Sequence, residues 1–367
     1  MRVEHYIAMD THSQTTDICV KTRANVAGRK WRVPTTIPAL REVIGSIRRP
    51  RHLTFEEGPL ASWLYRNLKA DADQITVCDP RKNAWIAKGG DKDDPIDANK
   101  LADLLAGGFL KAVHHSDEVS RDVFKQLVGC YHERVGHRVA ESNKIIGSLR
   151  RWGIVVGENA FASKADRADL LSKLPEGAEL APTRLSLKLL LDCYDQAVKG
   201  ETRLRQELTR LSKQQEVVVR FTELPGIKWI RAATLYVYLD TPWRFRSKQA
   251  LWKYLGIGLM RQTSGNGPES LSVSRAVNRT LKSMILGAAK SAIRQGDNPF
   301  AEQHRRWMDH GLSPRNARRN VARSLAAVMW GMWKNGGVYD PEQVNANTSL
   351  NAKASEKVDP HGSWSDR

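Results

Sequence analysis

The apolar positions of this chain change their spacing twice along its length. From residue 4 to about 115, short β-rich runs alternate with helical stretches. Ile7 to Val20 shows two-residue alternation around Asp10, and Leu53-Thr54-Phe55 and Ile75-Thr76-Val77-Cys78 are further strand runs. Helical spacing occupies Ile37 to Ile47, Leu60 to Leu68 and Pro95 to Leu105. Strands alternating with helices predict an α/β domain over 1–115, built on a mixed sheet.

A second pattern starts near residue 118. Val123, Leu127, Tyr131, Val135, Val139, Ile146, Leu149 and Trp152 recur at helical spacing, as do Leu187, Leu190, Tyr194, Ala197, Leu204, Leu208 and Leu211. Charges fill the other faces, so 116–219 predicts two long antiparallel helices of coiled-coil type, a linker or oligomerisation element. Residues 156–183 carry Gly157, Pro175, Gly177 and Pro182 and are expected to form a loop-rich tip. Residues 220–339 predict a mostly helical domain. It opens with the turn Leu224-Pro225-Gly226-Ile227, of helix-hairpin-helix type, followed by a helix over Ala232 to Leu239. Such turns either hold a nucleic-acid backbone through main-chain N–H groups or simply join two helices. A flexible loop over Gly256 to Gly267 follows, then a basic helix from near Arg275. A second basic block holds Arg305, Arg306, Arg315, Arg318, Arg319 and Arg323. Residues 340–367 are polar and poor in large apolar side chains, a composition that predicts disorder.

Charge narrows the partner. The 367 residues hold 58 Lys+Arg against 40 Asp+Glu, a net charge of +18. A surplus of that size favours a polyanion. No apolar stretch approaches the roughly 20 residues of a spanning helix, and Met1-Arg2-Val3-Glu4-His5 runs into a strand without an apolar signal region, so a cytoplasmic protein is expected. Cys19, Cys78, Cys130 and Cys193 are scattered without a CxxC pair, which fits neither a zinc site nor a disulfide framework.

Four acids change the picture further. Asp10 and Glu56 close apolar runs that read as strands, and Asp94 and Asp97 open a helix. Acids at strand ends and at a helix start can converge, and clustered carboxylates repel unless a cation joins them. Mg²⁺ or Mn²⁺ takes hard oxygen ligands of this kind, and metal-bound acids in a basic protein suggest phosphodiester chemistry. The plainer alternative is that Asp94 caps a helix, Pro95 takes its first position and Asp97 complements its dipole. Asp91, Asp93, Glu57 and Asp103 are neighbouring acids outside the expected ligand set, Asp103 by helical geometry and Glu57 by strand alternation. An actin-like phosphate loop after Met9-Asp10-Thr11 would need a Gly that Thr11-His12-Ser13-Gln14 lacks.

These blocks resemble a known family. Ile7-Ala8-Met9-Asp10, Glu56-Glu57-Gly58-Pro59 and Asp94-Pro95-Ile96-Asp97-Ala98, with Leu101-Ala102, resemble the DEDD domain of insertion-sequence-110 transposases. Leu224-Pro225-Gly226-Ile227, Trp252 with Leu255-Gly256, and Ser264-Gly265 ahead of a basic helix resemble that family's second domain. The resemblance implies an RNase H/RuvC-like N-terminal domain in which Asp10, Glu56, Asp94 and Asp97 bind divalent metal. It further implies a second domain with Ser264 as nucleophile, and a recombinase acting on donor and target DNA. A structured guide RNA, and assembly as a dimer or tetramer, are implied in the same way. Arg261, Arg275, Arg279, Lys282, Arg305 and Arg306 are the expected nucleic-acid contacts. The sequence departs from the family at Glu57, at Asn266-Gly267-Pro268 and at Val277, so Ser270, Ser272 and Ser274 stand as fallback nucleophiles.

Two other functions fit the same residues. A RuvC-like structure-selective endonuclease would use metal-activated water and leave Ser264 a loop residue. A non-catalytic nucleic-acid binder would use the acids only as caps and solvated charges.

Overall fold

The computed structural model describes residues 5–22, 24, 27–80, 94–115, 118–157, 160–161, 163–262, 270–273, 277–342 and 344. The chain divides into two compact units, Met1–Asp122 and Val123–Arg367.

The first unit is a five-stranded mixed sheet in the order β3-β2-β1-β4-β5. Strands β1 (His5–Thr11), β2 (Thr15–Lys21) and β3 (Arg29–Pro34) form an antiparallel meander. Strands β4 (Arg51–Glu56) and β5 (Gln74–Cys78) continue the sheet parallel to β1. Helices α1 (Ile37–Ser46) and α2 (Ala61–Leu68) supply the crossovers. Side-chain alternation sorts the two faces. Ile7, Met9, Ile18, Leu53 and Phe55 point to one face and bury against Leu40, Ile44, Leu64 and Leu68. Ala8, Cys19 and Cys78 point to the other, where Ala98, Leu101 and Ala102 of α3 (Asp94–Ala106) cover them.

Small residues under α3 let the helix lie close to the sheet. Two polar contacts fix its direction along β2: Lys21 Nζ meets Asp103 Oδ1 at 2.6 Å, and Cys19 Sγ donates to Asn99 Oδ1 at 3.6 Å. Burial pushes the Cys19 thiol up, so it sits there as a protonated donor. Strand β3 was not expected. Only Trp31 and Val33 of its six residues carry apolar side chains facing the core, because it is the sheet's edge.

The second unit is largely helical. The two long helices are α4 (Val119–Arg150), whose first turn belongs to the other unit, and α6 (Ala181–Ser212). Their cross-contacts run in opposite order: Tyr131 with Arg205, Arg138 with Glu201, and Ile145 and Leu149 with Leu187. The pair is therefore antiparallel. Glu201 is buried and takes both Arg138 and Arg205, which compensates its desolvation. The expected loop-rich tip instead contains α5 (Lys164–Ser172), started by a reciprocal capping box between Ser163 and Asp166. The Gly and Pro residues around it bracket the helix.

Helices α7 (Glu216–Phe221), α8 (Trp229–Leu239), α9 (Lys248–Tyr254), α10 (Arg279–Gln295), α11 (Pro299–Asp309) and α12 (Pro314–Asn335) share one apolar core. The stretch expected as a loop over 256–267 contributes the first strand of a hairpin, β6 (Leu259–Gln262) with β7 (Ser270–Val273). The basic helix begins at Arg279, capped by the Asn278 side chain, rather than near Arg275. Arg275, Ser274 and the tail beyond residue 344 lie outside the described residues. No helix among the described residues is long and apolar enough to cross a membrane.

Candidate metal centre and nucleic-acid interface

In the sheet, β1 and β4 are parallel neighbours with Met9 opposite Phe55. Asp10 and Glu56 are the next residues on the two strands. Both fall on the face of Ala8 and Thr54, which is the face α3 covers. Asp10 is 24% exposed and Glu56 is exposed, at the rim where the strands end. The His12 ring nitrogen Nε2 stands 3.4 Å from Asp10 Oδ2.

The pitch of α3 brings its start to the same rim. Four helical residues rise about 6 Å and two strand residues about 6.7 Å. Asp103 lies over Lys21 and Asn99 over Cys19, so the next step sets residues 95–97 level with Asp17. Asp17 is the register partner of Asp10. Asp97 is half-buried, beside the fully covered Ala98. Asp94 is the first residue of α3; its side chain lies outside the described residues, as do Asp91 and Asp93. Among the described residues, no three His, Cys, Asp or Glu side chains already form a metal-sized group.

Two pairs were missed by sequence reasoning. Asp17 is a fifth acid on the α3 face, buried beside Asp10, and Arg32 neutralises it with contacts of 3.0 and 2.8 Å. The alternation Asp17, Cys19, Lys21 in β2 was the available signal. Glu57, set aside as a ligand, instead meets Nε2 of the buried His115, which also packs on Tyr65. Its backbone N–H donates to Cys78 O at 2.8 Å. These contacts hold the end of β4 from the far side. Asp103, also outside the expected ligand set, is a clamp for Lys21.

In the second unit, Ser264 lies outside the described residues, in the segment joining β6 to β7. The side chains of Arg261, Ser270 and Ser272 are likewise outside them. Arg279 and Lys282 occupy the first turn of α10. Arg305 is exposed on α11, and Arg306 is paired with Glu302 at 3.4 Å. The Leu224-Pro225-Gly226-Ile227 turn does not offer an open backbone. Gly226 is buried with φ +77°, and a β-carbon there would lie 2.1 Å from Ala288 O of α10. The Ile227 N–H already donates to Leu224 O, and the Gly226 carbonyl already accepts from Arg231. The glycine serves close helix packing.

Two family models match the chain. A DEDD-type model of IS110 elements described as "Transposase" covers residues 7–153, and one described as "Transposase IS116/IS110/IS902 family" covers 219–305. Among curated proteins, the chain is similar to the "Transposase for insertion sequence element IS1111A" of Coxiella burnetii (strain RSA 493 / Nine Mile phase I). Identity there is 22% over 248 residues, 66% of this chain and 66% of that one. It is also similar to the "Putative transposase y4pF/y4sB" of Sinorhizobium fredii (strain NBRC 101917 / NGR234), at 23% over 291 residues, 77% of this chain and 73% of that one. The chain thus spans just under two thirds of the first relative.

A DEDD domain implies use of a divalent metal. The residues fit one: Asp10 and Glu56 offer hard carboxylate oxygens from neighbouring strand ends, and the helix carrying Asp97 starts over the same rim. With its mixed five-stranded sheet, RNase H-like, and its largely helical second unit, the chain belongs to the IS110 family of transposases, with an N-terminal DEDD domain and a C-terminal domain of the IS116/IS110/IS902 kind.

Proposed function

We propose that this chain cuts and rejoins DNA for its insertion element with two sets of residues. Asp10, Glu56, Asp94 and Asp97 of a RuvC-like domain hold Mg²⁺ or Mn²⁺, and Ser264 of the C-terminal domain is the nucleophile. The observation that carries this is the register of β1 and β4, which sets Asp10 beside Glu56 at the rim where α3 begins.

Bound metal would supply Lewis-acid polarisation of the scissile phosphate. The acids hold their positions because strand ends and a packed helix are rigid supports. Ser264 Oγ attacks phosphorus and loses its proton, while one phosphorus–deoxyribose oxygen bond breaks and that oxygen leaves as a free hydroxyl end. The phosphate stays on serine as a diester. Attack by the hydroxyl of another strand re-forms the deoxyribose bond and frees the serine, so strands exchange without ATP. Arg261, Arg275, Arg279 and Lys282 neutralise the backbone around the serine, with Arg305 and Arg306 further along.

Family membership supports the remaining parts of the proposal. A structured RNA of the element pairs with donor and target DNA. Chains assemble as a dimer or tetramer through the helices of 116–219. Residues 1–115 carry the metal and residues 220–339 the serine.

The test is covalent trapping. The full chain is incubated with Mg²⁺, end-junction DNA and the element's RNA, then denatured. A protein–DNA conjugate is expected, absent in both Ser264→Ala and Asp10→Asn. Cleaved DNA without a conjugate, unaffected by Ser264→Ala, would replace this reading with a hydrolytic endonuclease.

A further inference from the structure

Three helices of the second unit and the two strands of its hairpin contain no acid; the segment joining those strands carries one, Glu269. Helices α9, α10 and α12, with strands β6 and β7, hold no Asp or Glu, while Lys248, Lys253, Arg279, Lys282, Arg315, Arg318, Arg319 and Arg323 lie on the helices. None of the three helices has an acid in its first turn, although cations there oppose the helix dipole. An arrangement that is unfavourable in the isolated chain is stabilised by a bound polyanion.

The cations have a direction. Arg315, Arg319 and Arg323 are spaced by four and form one stripe along α12. The stripe ends at the foot of the hairpin, where Arg323 Nε donates to Ile257 O at 2.8 Å and Trp252 Nε1 donates to Arg323 O at 2.9 Å. On the other side of that foot, a β-carbon at Gly256 would lie 3.2 Å from Lys282 Cδ, and one at Gly258 would lie 2.9 Å from Lys253 Cγ. Three helices therefore send cations to the base of β6–β7, whose connecting segment contains Ser264. Arg318 Nε is buried without a hydrogen-bond partner, and the stripe has no acid partner among the described residues. Burial, together with Arg315 and Arg318, pushes Arg319 down, and burial with Arg319 does the same to Arg323. A phosphate would relieve that stress. Helix α11, by contrast, carries Glu302 and Asp309 among its basic residues.

We propose that the Arg315–Arg319–Arg323 stripe, with Lys253 and Lys282, is a track for the DNA phosphodiester backbone that delivers a strand to the base of the β6–β7 hairpin. The track adds α12 to the DNA contacts already proposed on α10 and α11. It rests on the reading that this unit acts on DNA at Ser264. The test uses Arg315→Gln/Arg319→Gln, which spares Arg323 and its contact with Ile257.

Binding to end-junction duplex, to a scrambled duplex of equal length and to the element's RNA is measured against salt. The chain also carries Ser264→Ala, so no covalent step contributes. On both duplexes the slope of log K against log salt is expected to become shallower by about two. Thermal unfolding should come no earlier, since mutually repelling cations are removed, and Arg210→Gln, whose arginine is paired with Glu207 on α6, should leave the slope alone. An unchanged slope on both duplexes, or a loss on RNA alone, would overturn the track. Failure of the serine mechanism shows only in the trapping assay, so the two readings fail separately.

Discussion

Asp10 and Glu56 are legible as a pair because each closes an apolar run, and strand ends are where a sheet presents side chains to substrate. Asp17 is not legible in that way. It sits inside β2, where only the hairpin register shows it to be Asp10's neighbour, and Arg32 keeps it from adding a fifth repelling charge. Mg²⁺ or Mn²⁺ should raise the unfolding temperature of the native chain by mass action. Asp10→Asn should abolish that rise, and without metal it should unfold no earlier, since one of several close carboxylates has been removed. Its conjugate formation should fall by about 10³-fold, corresponding to loss of several kcal/mol of charge stabilisation. A metal-induced rise that survives Asp10→Asn would put the ion elsewhere.

At the scale of elements, α3 and the Gly226 turn decide whether the acids and the serine hairpin are held. Lys21 is 4% exposed and its ammonium has Asp103 at 2.6 Å. Asp103→Ala should cost about 2 kcal/mol, the range for a hydrogen bond to a charged group. It should also lower activity by loosening α3, although Asp103 is not among the proposed metal ligands. Lys21→Met/Asp103→Ala should recover the stability, because an apolar pair needs no partner. Urea unfolding of the three variants checks this; a double variant no better than the single one refutes the clamp. Gly226→Ala meets both a positive φ and the Ala288 carbonyl, and should cost about 3 kcal/mol from strain and overpacking together.

Helices α1, α2, α3, α4 and α6 were visible in the sequence because each carries an apolar stripe, and α8 because it is a nearly continuous apolar run. Strand β3 was hidden because an edge strand needs few apolar residues, and α5 because Gly and Pro on either side masked nine helical residues. The role of Gly226 was hidden for another reason: its packing partner, Ala288, is remote in sequence.

For the whole molecule, each of the two units holds a half-buried histidine whose surroundings favour the neutral ring. In the first, His52 Nε2 meets Thr76 Oγ1 at 2.8 Å. In the second, His132 Nε2 meets Thr234 Oγ1 at 2.9 Å. The Thr234 hydroxyl gives its proton to Ile230 O at 2.7 Å, so it accepts from His132, and the ring carries its hydrogen on Nε2. Burial pushes both imidazoles below the ordinary value of 6.5. The unfolded chain therefore takes up these protons first as pH falls. The stability contributed by neutral burial is full above about pH 6.5 and is lost progressively below it, toward the lower folded values. Because the units need not unfold together, hydrogen exchange resolved by peptide is the suitable measurement. Between neutral pH and pH about 5, protection of α8 peptides should fall in the native chain and fall less in His132→Gln, while β4 and β5 peptides respond to His52→Gln instead. If α8 loses protection equally with and without His132, burial of that imidazole is not what makes the second unit acid-sensitive.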